Sequence, residues 1–428
     1  MPDRIRNFLR ALGPGIVTGA ADDDPSGIAT YSQTGAQFGY GQLWTALYQL
    51  PLMIAVQEAC ARIGAVTGRG LAGVVRANYS RAVLYGVVGL VVVANTINIG
   101  ADIGAVAAAI RLIFNIPFTI LAIGIAVVIV LLEVLLSYKT YAKGLKWLSI
   151  TLLAYPITAL VIAEPWGEIL RATVVPHIEF SFQYFFIVTG VFGTSISPYM
   201  FFWQASEEVE EELEKGIIAT GEQQEPPLPD SFIPNLRIDT MTGMLAAEVA
   251  QWFIIIATGT VLFSHGIDNI ATAADAARAF EPLVQSFPYA GLLAKLLFAV
   301  GIIGLGFLGI PVLAGSAAYA FAEALGWREG LSKTFRQAPG FYGVIIVSTL
   351  VGLLLNFSGV DPIRALVWTA VFNGIAAVPL LFVIAKINGS KIILGNERGG
   401  VLSRTFVWFT FGVMACSGVG LLCTLVLR

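Results

Sequence analysis

The stretch ADDDPSGIAT, Ala21–Thr30, decides how this chain is read. It sits between GPGIVTGA and YSQTGAQFGYGQLW, in a run that is otherwise apolar enough to cross a bilayer. A single carboxylate at mid-bilayer costs on the order of 2.5–3.5 kcal/mol on insertion scales, so Asp22, Asp23 and Asp24 cannot all face lipid. Pro25 disfavours helical geometry at Asp24, and Gly27 admits conformations that other residues avoid. The helix is therefore expected to break near Asp23–Gly27. Broken backbone is tolerated at membrane depth only where it lines a cavity or is buried in protein. Carboxylates beside freed carbonyls make a hard-oxygen cation site. The competing reading places the three acids at the aqueous end of the span as cap residues.

The rest of the chain supports a membrane setting. Of 428 residues, 57% are hydrophobic and 12% charged, about half the charged fraction of a soluble domain. Eleven spans are expected, at about 12–36, 42–66, 83–114, 118–138, 142–163, 184–206, 238–264, 289–325, 342–358, 362–386 and 404–427. Placing the N-terminus inside puts nineteen of the 25 Lys and Arg residues on the inner side, as the positive-inside rule requires, with the C-terminus outside. The net charge of −3 gives no sign of nucleic acid. Cys60, Cys416 and Cys423 lie in apolar runs and suggest no disulfide framework. The acidic run Glu207–Lys215 reads as a solvated helix end or as an antechamber that attracts cations.

VFGTSISPYMFFWQ, Val191–Gln204, repeats the device of the first span, with Gly193 and Pro198 as helix breaks inside an apolar run. Breaks in spans one and six, five spans apart, predict an all-α polytopic protein with a five-plus-five inverted repeat. Repeat one covers about 12–163 and repeat two about 184–386, in a single transport domain spanning 1–428. The eleventh helix is an addition. In such folds the two discontinuous helices hold the substrate near the midplane.

These residues resemble the Nramp family of divalent-metal transporters. GPGIVTGAADDDPSGIAT looks like that family's first span, with its Asp-Pro-Gly-Asn motif. TGAQFGYGQLW and QEACARIGAVTGRGLAGVVR look like its second span and NIGADIGAVAAAI like its third. GTSISPYMFFWQ resembles its sixth, where the family has Met-Pro-His. The resemblance implies a LeuT-type fold and a metal site at Asp24, Gly27, Thr194 (through its carbonyl), Ser197 and Asn373. Two departures bear on the cargo. Gly27 stands where the family has Asn, and Ser197 where it has Met, which leaves an oxygen-only donor set. Such a set suits Mg²⁺ better than Fe²⁺, with Mn²⁺ also compatible, so the pattern looks like the Nramp-related magnesium transporter branch. The family's coupling His reads Tyr199, one third-span acid reads Ala105, and 342–358 holds no Arg, so transport uncoupled from protons is expected. His177 and His265 fall in outer loops.

Asp22, Asp23, Asp102, Tyr199 and Glu58 are candidates for the transport path. Asp102 has an alternative as a structural partner of Asn95, Asn98 or a neighbouring helix. Glu248 is a further intramembrane acid. GLGFLG, Gly304–Gly309, lies inside an apolar span and reads as close helix packing, not as a nucleotide loop. No resident cofactor is expected; the partners are a divalent metal ion as substrate and membrane lipid. The expected location is the inner membrane of a prokaryote. The alternatives are a proton-coupled Mn²⁺/Fe²⁺ transporter of the Nramp type and a LeuT-fold carrier of an organic solute. Three acids at the break would repel a carboxylate substrate. An intramembrane aspartyl protease would need Gly-x-Gly-Asp, and NIGADIG does not match it, so no enzyme is expected.

Overall fold

A computed structural model describes residues 13–135, 154–161, 165–214, 216, 232–285 and 289–426. The described residues are helical with short connections. The first span is two helices, α1 (Pro14–Asp22) and α2 (Pro25–Phe38). There follow α3 (Trp44–Thr67), α4 (Arg81–Arg111), α5 (Phe118–Leu135) and α6 (Ala154–Val161). The sixth span is again two helices, α7 (Phe182–Ser195) and α8 (Pro198–Glu214). The chain continues through α9 (Phe232–Val261), α10 (Ala290–Leu325), α11 (Pro339–Leu355), α12 (Pro362–Gly389) and α13 (Val401–Val426).

Eight helical segments among the described residues are long and apolar enough to cross a membrane. The broken first span, the 17-residue α11 and the described part of the fifth span fall at the three remaining expected positions. Most of the fifth span, 142–163, lies outside the described residues, as do Arg4, Arg6, Arg10, Lys139, Lys143, Lys146 and Lys215.

The packing separates lipid-facing helices from a central group. On α5, Ile120, Ile123, Val127, Val128, Leu131 and Leu135 are exposed. In water such a face would be an aggregation hazard; in lipid it is the required surface. The inner helices approach closely through glycine. A Cβ on Gly100 of α4 would stand 2.5 Å from the Gly352 carbonyl oxygen of α11, and one on Gly193 of α7 would stand 2.1 Å from the Ala370 carbonyl oxygen of α12. Small residues at these crossings let backbones touch, and packing of that kind holds membrane helices together where burial from water contributes little.

One expectation fails here. The acidic run after the sixth span is not a solvated helix end. α8 continues through it to Glu214, and Glu208 and Glu212 are buried. The helix packs against α3 and α10, which turns part of its acidic face inward.

Candidate metal site at the paired helix breaks

Each break has the same cause. An α-helical carbonyl accepts from the N–H four residues on, and proline has none. Pro25 therefore deprives the Ala21 carbonyl of its partner, and Pro198 does the same to Thr194. Both prolines sit at the first position of the resuming helix, where a missing N–H costs nothing. The interruptions are thus Asp23–Asp24 and Ile196–Ser197. Gly193 does not belong to the break: it lies inside α7, where its missing side chain admits Ala370 and Gly374 of α12.

Asp24 is the N-cap of α2 and is fully buried. Its Oδ1 accepts from the Gly27 N–H at 2.9 Å and from Ser26 Oγ at 2.5 Å, and its Oδ2 accepts from Asn98 Nδ2 of α4 at 3.1 Å. Gly309 of α10 makes room for it, since a Cβ there would come within 3.0 Å of the Asp24 Cβ. The GLGFLG run thus serves packing, and what it packs against is the site. A Cβ on Gly27 would lie 2.9 Å from the Asp22 carbonyl oxygen and 3.3 Å from Thr194 Oγ1, which puts the two breaks side by side. Ser26 Oγ and Thr194 Oγ1 are 3.5 Å apart.

The other expected ligands are also buried. Ser197 is buried with no protein partner on its Oγ, and Asn373 of α12 is buried with its Nδ2 unpartnered. Asp102 lies one turn beyond Asn98 on α4, fully buried, with both oxygens unpartnered and Asp24 within electrostatic reach. It pairs with neither Asn95, which donates to the Leu313 carbonyl at 2.9 Å, nor Asn98, which holds Asp24. Tyr199 donates to the Ala21 carbonyl at 2.9 Å. Asp22 and Asp23 are buried beside the break, so the aqueous-cap reading fails. Glu58 stands apart, in an ion-pair cluster with Arg62 and Arg237. Sequence reasoning passed over Ser26 and Asn98 as holders of Asp24. Ser26 stood in the quoted motif, whereas nothing local marks the face of α4 that meets the break.

The donors at the crossing are one carboxylate and neutral oxygens. Among the described residues no three His, Cys, Asp or Glu side chains stand close enough together to enclose a bare metal ion. Hard cations that keep several waters, such as Mg²⁺, are bound elsewhere through one or two carboxylates. A cavity of about 310 Å³ lies toward the far end of α2, lined by Gln33, Gln37, Phe182, Arg364 and Trp368 among others. About 13 Å of helix rise separates Gln33 from Asp24.

The N-terminal end of α1 is fastened. Asp239 of α9 accepts from the Gly13 N–H at 2.8 Å and the Gly15 N–H at 2.6 Å, satisfying donors that a helix start leaves open. Thr18 donates to Gln204 of α8 at 2.6 Å.

Comparison with known proteins bears on the fold and the family. The manganese transporter of Eremococcus coleocola, solved with an aromatic bis-isothiourea substituted compound, superposes with a TM-score of 0.77 at 16% identity, covering 98% of this chain and 87% of that one. Mhp1, a nucleobase-cation-symport-1 family transporter in a closed conformation, gives 0.59 at 14% identity, covering 97% and 91%. These likenesses establish the LeuT-type inverted-repeat fold. The divalent metal cation transporter MntH of Deinococcus radiodurans is 25% identical over 90% of this chain and 84% of its own length. MntH of Mesorhizobium japonicum is 27% identical over 71% of this chain and 64% of its own length, so the match spans less than two thirds of that relative. The family model for natural resistance-associated macrophage protein-like sequences matches residues 15–424, and the chain belongs to the Nramp family.

Proposed function

We propose that this protein carries divalent metal cations across a bacterial inner membrane by alternating access, with manganese among its substrates. The observation that carries the reading is Asp24: a buried carboxylate fixed at the junction of two proline-broken helices, where its hydrogen-bond partner Ser26 stands 3.5 Å from Thr194 Oγ1. The names of the relatives support a divalent metal, and the solved neighbour's name supports manganese over the magnesium expected from the donor set. The charge pattern supports an N-terminus on the inner side.

A second reading, magnesium transport without proton coupling, is favoured by one specific observation. Gly27 and Ser197 leave only oxygen donors, and no His lies at the crossing among the described residues; His177 and His265 are exposed. Mg²⁺ takes oxygen ligands and dehydrates reluctantly.

The test is uptake into proteoliposomes containing a pH-sensitive dye, comparing Mn²⁺ and Mg²⁺ at a fixed membrane potential. Mn²⁺ uptake that disappears in a folded Asp24→Ala variant supports the main reading. Saturable Mg²⁺ uptake without a pH change in the lumen would favour the second. Full uptake by Asp24→Ala would refute the site.

A further inference from the structure

The polar groups at the first break do not all serve Asp24. α1 and α9 run parallel in backbone contact. A Cβ on Gly15 would lie 2.7 Å from the Thr240 Cα, and one on Gly19 would lie 2.3 Å from the Gly243 carbonyl oxygen. Continuing that register by one turn sets Asp22 and Asp23 beside Ala247 and Glu248. The electrostatics agree: Asp22 lies within reach of the charges of Asp23, Glu248 and Asp24, and Glu248 within reach of Asp23.

The hydrogen bonding of this pocket is one-sided. Gln49 of α3 donates through Nε2 to Glu248 Oε1 at 3.1 Å and to Gln251 Oε1 at 3.3 Å. Gln251 Oε1 also accepts from Ser195 Oγ at 3.2 Å, and Ser195 shares a 2.7 Å hydrogen bond with Tyr31. The donors are then spent. Both Asp22 oxygens, Asp23 Oδ1, Glu248 Oε2 and Gln49 Oε1 accept from no protein donor, on side chains that are at most 3% exposed. Five buried acceptor oxygens without a protein donor, four of them on three carboxyls that no Lys or Arg among the described residues pairs with, are relieved by a cation among them as well as by protons or water.

We propose a second divalent-cation subsite here, formed by Asp22, Glu248 and Gln49 Oε1 with Asp23 at its edge. It lies on the α3 and α9 side of the break, whereas Asn98 and Asp102 on α4 flank Asp24. Because among the described residues no three acidic side chains close on a bare ion, the oxygens reach a cation that retains its inner water, as Mg²⁺ does and Mn²⁺ can. The subsite is a staging position for the cargo: two neighbouring sites of moderate affinity let an ion enter favourably and still leave. The inference rests on the reading of the protein as a divalent-metal carrier.

The experiment counts Mn²⁺ bound to the purified full-length chain by equilibrium dialysis, with thermal unfolding to verify folding. Two ions per chain are expected, falling to one in the near-isosteric Glu248→Gln and to one in Asp24→Ala. Glu248→Asp, which keeps the charge on a shorter arm, should retain the second ion with at least tenfold weaker affinity. One ion per chain, lost in Asp24→Ala and unaffected by Glu248→Gln, would overturn the subsite and leave the Asp24 site standing. Displacement of the second ion by millimolar Na⁺ would overturn its assignment to a divalent cation. No bound Mn²⁺ at all would overturn both.

Discussion

The Tyr199 hydroxyl donates to the Ala21 carbonyl at 2.9 Å, across 178 residues of sequence. Ala21 is the carbonyl that Pro25 leaves without a helical partner, so one broken helix caps the other. In turn Ser316 of α10 donates to the Tyr199 carbonyl at 2.8 Å. Tyr199→Phe keeps the ring and removes the donor, leaving a buried carbonyl unsatisfied at a cost of about 1–3 kcal/mol. The variant should unfold at lower temperature than the parent in detergent, by several degrees. An unchanged midpoint would show that another donor takes over.

Ser197 sits in the second break with its hydroxyl free of protein partners. Ser197→Met would put a soft thioether where a hard oxygen stands. Soft donors favour the softer transition metals over Mg²⁺. In competition uptake assays the variant should gain preference for Cd²⁺ over Mn²⁺ and lose any response to Mg²⁺. An unchanged order of metals would remove Ser197 from the ligand set.

Glu329 lies outside the membrane helices, between α10 and α11. Burial, reinforced by Glu323 and Glu210, pushes its carboxyl up to about 9, against the opposing pull of Lys333 and Arg76. A carboxyl raised in the folded state binds a proton there that the unfolded chain has already released. Stability should therefore fall as pH rises from about 4.5 toward 9, with the full penalty reached above that window. Glu329→Gln should flatten this part of the pH–stability curve, measured as the unfolding midpoint between pH 6 and 9. A curve as steep as the parent's would assign the dependence to other groups.

Much of the architecture was written locally. Pro25 and Pro198 announce the breaks because a missing N–H acts on the residue four positions earlier, whatever surrounds it. Leaving aside 142–163, most of which lies outside the described residues, most runs of apolar residues matched the helix ends to within about three residues, whereas α8 runs on to Glu214 and α9 starts at Phe232, beyond the expected 206 and ahead of the expected 238. What failed depended on faces, which a single span does not reveal. Gly193 looked like part of a break because glycine in an apolar run has the same signature at a bend and at a helix crossing. Glu208 and Glu212 looked solvated because acidic runs generally are, yet the rotation of α8 turns them inward. Asn98 could not be singled out from Asn95 on the same helix, since only the fold decides which of them meets Asp24.

Both halves of the first span lean on α9. Gly15 and Gly19 of α1 abut Thr240 and Gly243, while Gly35 of α2 abuts Ile255, Thr258 and Gly259, and Gly39 lies against Phe263. The ninth helix is thus an axle with two separately seated arms, and Asp23–Asp24 is the joint between them. The two arms are seated on different stretches of the axle, at Thr240 and Gly243 for one and at Ile255, Thr258 and Gly259 for the other. A methyl wedged at Gly19 or at Gly35 would then load opposite arms of the same balance. The two substitutions should tilt the protein toward opposite openings, because the joint between the arms is the break that holds Asp24.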